Sequence, residues 1–171
     1  MAFFHYSEFL TIAVSNPDTL SVDSFILNHS PQYKIAAVSS WIEFWIEHAL
    51  WPDLKNVCWP LSALGLFVCV CGEAVRKLAM LTARTNFNHV VQSEKHPAYA
   101  GWFYWAVGTQ MILVNPVCIV AYLAASWKFF KDRITIEEVT LLNFFQYDYV
   151  LYQDRIPTGL PFIRGYPIKD L

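Results

Sequence analysis

Charge is what this sequence has least of. Only 15% of its 171 residues are Asp, Glu, Lys or Arg, where soluble domains carry about a quarter. Residues 97–127 run for 31 positions without one charged side chain, and residues 56–72 for another 17. A large core helix of a soluble protein does not account for the longer run, whereas a membrane crossing takes about 20 mostly apolar residues. Glycine is also scarce, at six, and the chain has no Gly-x-Gly-x-x-Gly, which removes the usual phosphate-cradling loop of a Rossmann-type cofactor domain. Cysteines 58, 69, 71 and 118 lie in apolar segments, with no Cys-x-x-Cys and no histidine at ligand spacing. No metal site is expected from them, and reduced thiols acting as small hydrophobes are the natural reading. No basic tract with interleaved aromatics runs long enough to suggest nucleic acid, so no nucleic-acid partner is expected. Residues 1–16 lack a basic n-region and carry Glu8, so no cleavable signal peptide is expected.

What is present is apolar and aromatic. Hydrophobic residues make up 56% of the chain and aromatics 17%, with mean hydropathy +0.32. The expectation is an all-α, polytopic integral membrane protein, a single embedded domain over residues 1–171. Residues 34–51 read as a helix ended by Pro52, on which Trp41, Phe44, Trp45, His48 and Trp51 follow an i, i+3, i+4 stripe. Such stripes mean packing or an interfacial belt, with His48 a packed core histidine and Glu43 and Glu47 on another face. A second helix is expected over 59–83, then a polar loop over 85–95.

Residues 98–130 follow, interrupted by Asn115-Pro116. Proline removes a backbone donor and disfavours helix in the residue before it, so this region reads as a helical hairpin, with arms over 98–114 and 117–130. Arg76, Lys77, Arg84 and Lys95 precede it, and Lys128, Lys131 and Arg133 follow it. Basic flanks favour the cytosolic side, and a hairpin returns to the side it left. A last amphipathic helix is expected over 135–155, then an irregular tail rich in Pro and Gly.

Ionisable groups beside membrane helices are costly and mark candidate sites. One cluster is His96-Pro97-Ala98-Tyr99 at the mouth of the hairpin. The other is Arg133 with Glu137 and Glu138 where the chain leaves it. Arg133 and Glu137 are four apart and share a helix face, and a hairpin brings both clusters together. Each cluster also has a plain reading, as a helix start and as a solvated ion pair.

The ordered set of residues resembles the signature of the isoprenylcysteine carboxyl methyltransferases. It comprises His96-Pro97-Ala98-Tyr99-Ala100-Gly101-Trp102, the Asn115-Pro116 hairpin, Arg133, the Glu137-Glu138 pair and the tail from Pro157 to Ile163. Phe4-His5-Tyr6-Ser7-Glu8 and Asn86-Phe87-Asn88-His89 match as well. The resemblance implies methylation of the C-terminal carboxylate of a prenylated cysteine in proteins such as small GTPases. It also implies S-adenosylmethionine as methyl donor and a multi-pass place in the endoplasmic reticulum membrane, among its lipid. By position, Gln92, His96, Pro97, Ala98, Tyr99 and Glu137 match cofactor contacts and Arg133 matches the substrate contact. No residue is assigned as a catalytic acid or base.

The chain departs from that family in two respects. Full-length animal members carry further membrane helices before the point where this chain starts. The family also has an additional segment, ending in Arg, directly before His-Pro-x-Tyr, where here Gln92-Ser93-Glu94-Lys95 runs straight into His96. Two alternatives therefore stand beside an active methyltransferase. One is a catalytically silent truncated isoform acting as a membrane interaction protein, and the other is a membrane sterol reductase using a nicotinamide cofactor.

Overall fold

The computed structural model describes residues 1–26, 30–83 and 96–166. Among them there are helices and turns and no strand. Helix α1 (Ala2–Ser15) leads through two short 3-10 turns to α2 (Pro31–Leu50). The start of α2 is set locally: Pro31 stands in its first turn, and the Ser30 hydroxyl accepts the Tyr33 amide at 3.2 Å. It stops one residue before the Trp51-Pro52 pair. A single turn, α3 (Leu54–Val57), precedes α4 (Trp59–Ala83), which has the expected bounds.

The hairpin is present. Helix α5 (Pro97–Leu113) and helix α6 (Pro116–Phe145) are joined by Val114, in the left-handed region at φ 53°, and Asn115. The turn is locked from α2. Glu43 accepts the amides of Val117 and Cys118, both at 2.7 Å, so its carboxylate serves the exposed N–H groups of α6. Lys55, paired with Glu47, donates to the Val114 carbonyl at 2.8 Å, and the Asn115 amide donates to Ser40 O at 2.9 Å.

Four expectations need correction. The expected break between 130 and 135 does not occur, because nothing from Val117 to Phe145 is Pro or Gly. Helix α6 therefore continues for 30 residues, about 45 Å. The break falls at Gln146, at φ 48°, ψ −125°, before α7 (Tyr147–Arg155). His48 is exposed rather than packed in a core, stacked at 6.2 Å on Phe44. Cys69 and Cys118 are buried, but Cys71 is exposed on the other face of α4. Arg76 and Lys77 point inward to Glu8 on α1 instead of facing solvent as a basic flank.

The principal packing seam joins α4 to α5, and glycine makes it possible. A Cβ on Gly72 would stand 2.7 Å from Gly101 O, one on Gly101 2.7 Å from Arg76 Cβ, and one on Gly108 2.8 Å from Cys69 Sγ. Small residues at a helix crossing let backbones approach closely, a device common where lipid supplies no hydrophobic drive between helices. Two clusters fill the interior: Ala100, Phe103, Val107, Phe130 and Ile134 with tail residues Leu160 and Ile163, and Phe4, Cys69, Trp105 and Ala106. Much apolar surface points outward, including Trp41 and Trp45 on α2, Phe67 and Val70 on α4, and Val117 and Val120 on α6. Among the described residues, no helix is long and apolar enough to cross a membrane. Helix α5 has only 17 residues, and the apolar part of α6 ends at Lys128.

Candidate functional site

The first turn of α5 and the middle of α6 meet at the open end of the hairpin. His96 is the residue just before α5 and is buried, at 6% exposure. Pro97 takes the first helical position, where its missing N–H costs nothing. One turn on, Tyr99 stacks against the His96 ring with centroids 5.6 Å apart and planes at 13°.

Tyr99 is the junction. Its hydroxyl donates to Glu137 Oε2 at 2.7 Å and accepts from Arg133 Nε at 3.4 Å. Arg133 and Glu137 share a face of α6, as expected, and meet on this hydroxyl. Arg133 is exposed and Glu137 half-buried, so both keep hydrogen-bonding capacity free for a ligand. Ala98 also lies half-buried in this first turn. Its carbonyl accepts from Arg76 Nη1 at 3.0 Å. The hairpin thus gathers His96, Pro97, Ala98, Tyr99, Arg133 and Glu137. Gln92 lies outside the described residues.

His96 does not meet Arg133. Its Nε2 faces Glu138 Oε1 at 3.5 Å and has no hydrogen-bond partner among the described residues. Glu138 is fully buried. It accepts from Tyr149 at 3.4 Å, Gln153 at 3.2 Å and the Tyr166 amide. Burial, then the nearby Glu138 charge, pushes the Tyr149 phenol above its ordinary pKa.

Two residues around the site escaped the sequence reading. Glu138 was seen only as half of an acidic pair. Its signal is positional, since one step along α6 from Glu137 turns the side chain by about 100° onto the inner face. Arg76 was read as a flank charge, yet it forms a two-pronged pair with Glu8 at 2.7 and 2.9 Å and stands 4.8 Å from the Trp102 ring centroid. A lone Glu on an apolar N-terminal helix was the available hint.

The isoprenylcysteine carboxyl methyltransferase (ICMT) family matches the chain over residues 93–143, the stretch that holds this junction. The protein-S-isoprenylcysteine O-methyltransferase of Dictyostelium discoideum is 43% identical over 177 residues, covering 94% of this chain and 74% of that protein. The chain belongs to this family. The Tribolium castaneum relative of the same name is 56% identical over 184 residues, covering 98% of this chain and 65% of its own length. A solved eukaryotic intramembrane Ras methyltransferase, ICMT, superposes with a TM-score of 0.87 at 56% identity, over 96% of this chain and 64% of that one. The chain therefore spans just under two thirds of these two ICMT relatives. The Tribolium alignment runs over 184 positions against 171 residues here, so at least 13 positions of that ICMT have no counterpart in this chain.

Proposed function

We propose that this chain methylates the C-terminal carboxylate of a prenylated cysteine, with S-adenosylmethionine as donor and proteins such as small GTPases as substrates; relatives named for isoprenylcysteine carboxyl methylation support the reading. The observation that carries the reading is the Tyr99 junction, where one hydroxyl ties an exposed guanidinium to a half-buried carboxylate. The residues suit the donor: Glu137, half-buried at the mouth of the hairpin, offers an acceptor for hydroxyl or ammonium groups. When bound, the donor supplies a methyl group already activated on a sulfonium. The chain's residues then have the task of holding and aligning. Arg133 pairs with the substrate carboxylate through its planar fork, Tyr99 holds Arg133 and Glu137 in register, and Pro97 and Ala98 form the floor of the turn. A terminal carboxylate has a pKa of about 3.5 and is ionised at neutral pH, so no general base is needed. Alignment and exclusion of water supply the acceleration.

Residues 1–171 act in this reading as one unit of the endoplasmic reticulum membrane. The outward apolar faces of α2, α4 and α6 meet lipid there. A prenyl chain dissolves in that same apolar medium, which is a physical reason for the enzyme to be embedded.

One observation favours a second reading, a silent membrane form. The family positions with no counterpart here fall, in our reading, just before His96, where they would complete the donor's binding shell. Methyl transfer from labelled S-adenosylmethionine to a farnesylated cysteine analogue decides between the two, in membranes free of endogenous enzyme. Transfer that disappears in Arg133→Ala and Glu137→Ala supports the enzyme. No transfer from intact, inserted protein supports the silent form.

A further inference from the structure

Glu138 has no part in the reading above, yet its side chain is heavily engaged. Its carboxylate is at 0% exposure, an environment that disfavours a charge unless donors surround it. Donors do. Tyr149 and Gln153 reach it from α7, the amide of Tyr166 from the tail, and His96 Nε2 faces it from the start of α5. Gln153 also donates to the Tyr166 carbonyl at 2.7 Å. A Cβ on Gly165, at φ 93°, would collide with both carboxylate oxygens, so only glycine lets the tail lie this close. The tail itself is closed on Thr158, whose hydroxyl donates to Ile163 O at 2.5 Å. It sets Leu160 and Ile163 into the cluster around Ala100, Phe103 and Ile134.

We propose that Glu138 is a positioning residue: it draws α7 and the tail onto the first turn of α5 and thereby holds the His96 ring in its stack on Tyr99. The His96 Nε2 makes no hydrogen bond among the described residues, so the place of the ring depends on the groups packed around it. Release of the tail opens that packing to water and frees the ring at the edge of the Tyr99 junction. The docking role stands on geometry alone, whereas its consequence for the reaction rests on the methyl-transfer reading.

The test compares the unsubstituted chain with Glu138→Gln and Glu138→Ala in membranes. It reads hydrogen–deuterium exchange of the tail peptide 158–166 and modification of His96 by diethyl pyrocarbonate, both located by mass spectrometry. Loss of a buried acceptor should raise both rates about tenfold or more in Glu138→Ala, with exchange in α4 unchanged. Glu138→Gln keeps one acceptor oxygen and should restore most of the protection; should Glu138→Ala not accumulate, a roughly threefold rise in Glu138→Gln carries the test. Unchanged tail exchange and His96 reactivity overturn the proposal, as does a rise spread equally into α4, which would mark a purely structural residue. Methyl transfer by the same proteins should show about a tenfold higher donor KM with little change in kcat. Absence of transfer from the unsubstituted chain sinks the functional reading, while exchange and His96 reactivity still decide the docking role.

Discussion

Two polar clusters sit at opposite edges of the first turn of α5, and they are built on different principles. Around Arg76 the charges are paired with one another: Glu8 takes both prongs of the guanidinium and the Lys77 ammonium, Glu73 accepts from Ser7 and pairs with Lys77, and a further Arg76 N–H goes to Ala98 O, with only Glu73 Oε2 left unbonded among the described residues. Around Tyr99 the groups are only partly satisfied, with Arg133 exposed and Glu137 half-buried. A buried network whose charges pair with one another holds three helices together and presents little to a ligand. An incompletely satisfied, accessible one can bind. The same residue types, Arg and Glu, thus serve architecture in one cluster and, in the proposed function, recognition in the other.

The comparison breaks first at Arg76. Arg76→Ala leaves the Glu8 carboxylate buried with Lys77 alone, and removing one partner of a buried pair costs about 3–5 kcal/mol. A large fall in the unfolding midpoint in detergent is expected, partly recovered in the Glu8→Leu, Arg76→Met double variant. A mild effect of Arg76→Ala would place both clusters in one class. Arg133→Ala should do the reverse, lowering methyl transfer about 10- to 100-fold, as expected for a lost charged hydrogen bond, with the unfolding midpoint unmoved. Gly101→Ala sharpens the architectural side. Its Cβ would stand 2.6–2.7 Å from Gly72 O and Arg76, and overpacking of this kind costs about 1–3 kcal/mol. The smallest effect belongs to Lys128→Ala. The Lys128–Asp132 pair spans 3.3 Å but is 78% and 60% exposed, so denaturation should shift by less than about 0.5 kcal/mol.

Much of this molecule was legible along the chain. The hairpin followed from Asn115-Pro116, the bounds of α4 from the apolar run, and the tail's irregularity from its Pro and Gly. The gathering of His96, Tyr99, Arg133 and Glu137 at one mouth followed from the hairpin. Where the reading failed, the deciding quantity was three-dimensional. A break after residue 130 was expected from the basic cluster, but charge alone does not end a helix; the break came at Gln146, a residue type with no turn signature. Arg76 and Lys77 were placed with the flanking charges because their partner, Glu8, stands 68 positions away from Arg76 in sequence. The glycine seam did leave a trace, with Gly65 and Gly72 seven apart and Gly101 and Gly108 seven apart. Spacing of seven puts each pair on one helix face, though not which helix lies opposite.

Residue order is enough to establish the helical class, the scarcity of charge, the hairpin and the family signature. These follow from periodicity, proline chemistry and local spacing, all of which act over a few residues. Packing alone separates Glu137 from Glu138 and Arg76 from Arg133. Neighbours or near-equivalents in sequence, they differ in whether a helix face turns toward water or toward buried donors on another segment. Burial and partners are properties of the assembled chain, and they assign one carboxylate to the candidate site and the next to the clamp behind it.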